Sequence, residues 1–173
     1  MEASEVGPKP NKTKRWKYIS ALSVAIIMLT GASSSFILQD RHKNALSAVI
    51  PTEARHAATF PIYIPQPNIA AVDKSSVQAD SDAVTYSTRL NNSNVVVTEQ
   101  PLPADFALSN YVSRGVGVSD VQTFDSPNGH GMTGTINARA IMILATDKTL
   151  ITATSASATF HELQSLARSL ARI

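Results

Sequence analysis

A chain of 173 residues has room for one folded unit plus a targeting segment, at roughly 100–200 residues per domain. It contains no cysteine, which excludes disulfides and thiolate metal centres. The formal charge of +2 is unevenly placed: Lys9, Lys12, Lys14, Arg15 and Lys17 oppose only Glu2 and Glu5, while from Gln39 onward ten Lys and Arg meet eleven Asp and Glu. The basic balance therefore belongs to a short N-terminal tail, and no nucleic-acid partner is indicated.

Residues 1–17 form that tail, and Tyr18 to Leu38 follows with no charged residue in 21 positions. As a helix rising about 1.5 Å per residue, this stretch spans a hydrocarbon core of roughly 30 Å. Trp16 and Tyr18 stand where interfacial aromatic rings are favoured, and Ile26, Ile27 and Leu29 supply apolar bulk. Lys12, Lys14, Arg15 and Lys17 set the topology by the positive-inside bias. The expectation is a transmembrane helix over 18–38, with the N-terminus cytoplasmic and the rest of the chain extracytoplasmic, in a cell membrane. A cleaved signal peptide is the competing reading, with Thr30-Gly31-Ala32 before Ser33 as its site. The acid-containing lead and the apolar return at Phe36-Ile37-Leu38 favour an uncleaved anchor.

Residues 39–59 mix charges with small side chains and read as a stalk, with a short helical piece around Arg41 to Val49. The folded domain is expected over 60–173. Phe60 to Pro67 combines strand formers with prolines that cannot donate to a ladder, which predicts an edge strand. Ala83 to Leu90 alternates in the strand period, Asn91-Asn92-Ser93-Asn94 turns the chain, and Val95 to Gln100 returns as a hairpin partner. Pro101-Leu102-Pro103 ends that strand, and Ala104 to Tyr111 is expected to form a short helix that buries some of Phe106, Leu108 and Tyr111.

A loop rich in Gly, Ser and Asp runs to Gly131 and encloses a short strand at Val121 to Phe124. Thr133 to Ala145 is an apolar strand paired across Asp147-Lys148 with Thr149 to Thr154. Thr159-Phe160-His161-Glu162 matches a capping box, and Phe160, Leu163, Leu166, Ala167 and Leu170 recur at helical spacing. The predicted class is α+β: an antiparallel sheet of two hairpins plus an edge strand, with a C-terminal amphipathic helix packed on it.

This order resembles a bacterial extracytoplasmic domain family found at the C-terminal ends of membrane-anchored anti-sigma-like proteins, related to the lipoprotein-carrier and sigma-regulator folds. Val95 to Gln100 before the prolines carries the resemblance, as do Ala140 to Thr154 running into Thr159 to Leu170, and the proline-bracketed Phe60 to Pro67. The chain has Leu144-Ala145 and Leu150-Ile151 where that family usually has aromatic residues. The resemblance implies a half-open sheet beside a helix, used for protein contact or apolar ligands, without catalysis.

Chemistry-bearing residues are sparse. His42, His56, His130 and His161 show no i, i+3 or i+4 pairing, so no helical metal site is expected. Asp125, Ser126 and His130 lie together in Asp125-Ser126-Pro127-Asn128-Gly129-His130-Gly131, the best place to seek a nucleophilic site, although a glycine turn explains the same residues. Gly115-Val116-Gly117 lacks the spacing of a dinucleotide loop, and Asn11-Lys12-Thr13 and Asn91-Asn92-Ser93 match the glycosylation pattern without an assigned role. The functional expectation is an anchored extracytoplasmic binding or interaction protein with an envelope protein partner, without cofactor or enzymatic activity. The alternative is a carrier of a lipid or other apolar ligand.

Overall fold

The computed structural model describes residues 49–113 and 117–173. The expected tail, the expected transmembrane helix and the helical piece before Val49 lie outside the described residues. Among the described residues no helix is long and apolar enough to cross a membrane. All of them belong to the unit His42–Ile173.

In chain order the elements are α1 (Thr52–Ala57), β1 (Tyr63–Pro65), β2 (Ala70–Ala79), β3 (Val84–Leu90), β4 (Ser93–Pro101) and α2 (Leu108–Ser113). They continue with β5 (Ser119–Ser126), β6 (Gly129–Ile136), β7 (Arg139–Ala145), β8 (Thr149–Ser155), α3 (Phe160–Ser169) and β9 (Leu170–Arg172). Seven strands make one sheet in the order β2-β3-β4-β8-β7-β6-β5, and every neighbouring pair is antiparallel. Two hairpin meanders, β2–β4 and β5–β8, meet where β4 pairs with β8; the segment containing α2 links β4 to β5 at the far edge. The α+β class is as expected: mostly antiparallel sheet with a C-terminal helix.

The tight turns explain the register. Asn91 sits at φ 53 between β3 and β4, in the left-handed region that Asn tolerates better than most residues. Between β6 and β7 both turn residues are left-handed, Asn137 at φ 48 and Ala138 at φ 60. Thr146 closes the β7–β8 connection, its hydroxyl accepting the Thr149 N–H at 2.9 Å.

Alternation then sorts side chains between two faces. Val84, Tyr86 and Leu90 of β3 and Val95 and Val97 of β4 join Met142, Leu144, Ile151 and Ala153 in the main core. Helix α3 covers this face with Leu163, Leu166 and Ala167, all fully buried. Its N-terminus has the expected capping box, with Thr159 and Glu162 bonding reciprocally. Two hairpin turns pin the helix ends: Asn91 donates to Glu162 at 2.7 Å, and Asn128 donates to the Leu170 carbonyl at 2.7 Å. The opposite face buries Met132, Ile141, Ile143 and Leu150 beneath Leu102, Phe106, Leu108 and Val118.

The structure corrects three expectations. The sheet has seven strands instead of two hairpins plus an edge strand. The expected apolar strand from Thr133 to Ala145 is itself a hairpin, because Asn137-Ala138 turns the chain without a glycine signal. Phe60 to Pro67 is not an edge of the main sheet: β1 pairs with β9 in a separate two-stranded ribbon, its prolines limiting it to three residues. The edges are instead β5 and β2, and the polar and largely exposed sequence of β2, AAVDKSSVQA, carries no alternation signal and is bulged between Asp73 and Gln78. Ahead of residue 60, Ile50 is 1% exposed within the main core, and Ala54 and Ala58 of the α1 segment pack against it.

Candidate functional site

Trp16, Tyr18, Ile26, Ile27 and Leu29, and the topology residues Lys12, Lys14, Arg15 and Lys17, lie outside the described residues.

The Asp125 to Gly131 loop proves to be the β5–β6 hairpin, with Ser126 paired to Gly129 and Asp125 to His130. His130 Nδ1 lies 2.6 Å from Asp125 Oδ1, and both side chains are more than four-fifths exposed. Adjacent strand residues point to opposite faces. Ser126 therefore turns away from that pair, and its hydroxyl accepts the Asn128 N–H at 3.1 Å. The structure brings His and Asp together but excludes Ser126 from the pair, so no nucleophilic triad forms. Asn128 serves the fold by capping the end of α3, and Gly129 and Gly131 are required because a Cβ would strike the Ala145 carbonyl in the first case and Phe124 and the Ile143 carbonyl in the second.

Glu99 is the group that the sequence reading passed over. It takes an inward position on β4 and is 0% exposed. Its Oε2 accepts the Tyr63 N–H at 2.8 Å, and its Oε1 lies 3.3 Å from Tyr86 Oη. The same phenol donates to the Tyr63 carbonyl at 2.9 Å. One phenolic hydrogen cannot serve both acceptors. A protonated Glu99 resolves the conflict, donating to Tyr86 Oη while Tyr86 donates to Tyr63. Burial raises the Glu99 carboxyl well above the usual range, against the lowering effect of the Tyr63 N–H that it accepts. Tyr86 is raised as well, by burial first and by Glu99 second. The triad is structural: it ties both backbone groups of Tyr63, and hence β1, to the main sheet. Its only sequence signal is a Glu at an inward position of an alternating strand.

Next to β1 an open cleft of ≈330 Å³ lies between α1, the Ala58–Ile62 segment, the β7–β8 turn and β9. Arg55, Lys148 and Arg172 line it, and no acidic side chain does. Among the described residues no ion pair engages these three cations. Arg55 Nε is buried without a hydrogen-bond partner, while its Nη2 donates to Thr52 at 3.3 Å. The wall is firmly held: Thr149 Oγ1 donates to the Pro61 carbonyl at 2.6 Å, and the Ile173 N–H donates to the Ile62 carbonyl at 3.0 Å. Three cations without acidic partners on a rigid wall are suited to holding an anion. The sequence could not place them together, because they come from positions 55, 148 and 172.

Among the described residues no group of His, Cys, Asp or Glu is arranged to hold a metal. No protein family, curated protein or solved structure matches this chain.

Proposed function

We propose that this chain is a single-pass membrane-anchored extracytoplasmic binding protein that engages a partner in the cell envelope. One observation carries the reading: the domain presents an open, rigid-walled cleft whose cationic side chains have no acidic partners. The charge-free run over 18–38 behind a basic tail supports the anchor and the orientation. Of the features that carry the resemblance to the anti-sigma-like ectodomain family, the β3–β4 and β7–β8 hairpins and the capped terminal helix remain, while the proline-bracketed segment pairs outside the main sheet; the reading includes no catalysis.

The carrier alternative needs an apolar space between sheet and terminal helix. Leu163, Leu166 and Ala167 of that helix are fully buried in one core with Met142 and Leu144 of β7, which favours the binding module.

The test is crosslinking in intact cells, followed by identification of the proteins and lipids that copurify. The affinity tag belongs on the N-terminus, because Ile173 lines the cleft. Specific recovery of one envelope protein is the expected result. Recovery of lipid alone would move the assignment to the carrier, and recovery of neither would overturn both.

A further inference from the structure

We infer that the cleft between α1 and the β1–β9 ribbon is a binding site for a phosphate group, borne by a lipid headgroup or by a soluble phosphate ester. The inference rests on the binding-protein reading and gives its ligand a chemical class. Arg55, Arg172 and Lys148 line a space that no Asp or Glu lines. Guanidinium forks match the paired oxygens of phosphate, and a lysine adds a point charge. A volume of ≈330 Å³ lies at the small end of ligand pockets, roughly 300–1,000 Å³, and suits a headgroup better than an extended chain.

One further feature points the same way. Arg55 carries a buried, unpartnered Nε, which a phosphate oxygen satisfies once the guanidinium edge turns to the cleft. The acids nearest in sequence are Glu53 on the exposed side of α1 and Asp147, whose carboxylate accepts from Tyr63 Oη at 3.5 Å; neither is among the lining residues.

The test is isothermal titration of the full chain in nonionic detergent with sodium phosphate, against sodium chloride at matched ionic strength. Saturable binding of phosphate is expected, weakened at least tenfold in the double variant Arg55→Gln/Arg172→Gln. Lys148→Gln, in an exposed turn, is the second variant and is expected to weaken binding severalfold without disturbing the fold. Glycerol phosphate and short-chain phosphatidylglycerol below its micelle concentration distinguish the source: tenfold preference for the lipid assigns a headgroup, and equal binding assigns a soluble ester. Absence of saturable phosphate binding, or binding unchanged in both variants, overturns the inference. A chain that fails this titration yet captures an envelope protein in intact cells keeps the binding-protein reading and loses only the phosphate assignment.

Discussion

Replacing Glu99 by Gln tests whether the core holds a neutral carboxyl. Gln keeps the carbonyl acceptor for the Tyr63 N–H, now 2.8 Å from Glu99 Oε2, and its amide replaces the acid hydrogen facing Tyr86 Oη at 3.3 Å. The second amide hydrogen finds no acceptor, so at pH 4 the variant is expected to be less stable by about 1–2 kcal/mol. With rising pH the balance shifts. A carboxyl whose folded pKa is raised holds its proton more tightly in the folded state. Its stabilising contribution is complete below the unfolded value of about 4.3 and is lost as pH rises towards the raised folded value. Wild-type stability should fall over that window with a slope of up to about 1.4 kcal/mol per pH unit, and the variant should lack this slope. Urea unfolding followed by far-ultraviolet circular dichroism between pH 4 and pH 8.5 gives both curves. Parallel curves across the range would refute a neutral Glu99. Glu99→Ala, which leaves the Tyr63 N–H unpaired, should cost about 1–3 kcal/mol from that loss alone at every pH.

Other outcomes follow from local geometry. Thr159→Ala removes the acceptor of the Glu162 N–H and should cost about 1 kcal/mol in urea unfolding. Glu162 lies at the surface and is held below the usual range chiefly by the Thr159 N–H, so its small contribution to the cap is present above about pH 4.3 and lost as pH falls through the lowered value. Gly131→Ala places a Cβ 2.8 Å from the Ile143 carbonyl and should lower the urea midpoint clearly, whereas Ala138→Gly, at φ 60, should raise stability by up to about 1 kcal/mol. His130→Ala should change stability by less than about 0.5 kcal/mol, since its pairing with Asp125 is in solvent. Turnover of any substrate that disappears in His130→Ala would instead establish a catalytic site at the hairpin.

Local patterns carried much of the fold. The capping box at Thr159 and the Leu163, Leu166 and Ala167 stripe identify α3, because caps and helical periodicity are decided by residues a few positions apart. The β3–β4 and β7–β8 hairpins were legible for the same reason, from alternation around Asn91-Asn92 and Asp147-Lys148. Strand β2 was not, because an edge strand is held by its ladder to β3 and needs no apolar face of its own. Strand β9 follows α3 without a break, and only its partner β1, more than a hundred residues earlier, makes it a strand. The cleft was invisible because it depends on that closure, which sets Arg172 beside the Ala58–Ile62 segment and near Arg55 and Lys148. Asp125, Ser126 and His130 are close in sequence and have the residue types of a nucleophilic site, but strand alternation assigns Ser126 to the other face.

The most direct test of the cleft as the binding surface is site-specific photo-crosslinking in intact cells. A photoreactive residue at Thr59, an exposed position of the lining, is compared with one at His130, an exposed position on the β5–β6 hairpin. The expected result is a defined envelope component captured from position 59 and not from position 130. Equal capture from both positions, or capture from position 130 alone, would contradict a binding role for the cleft.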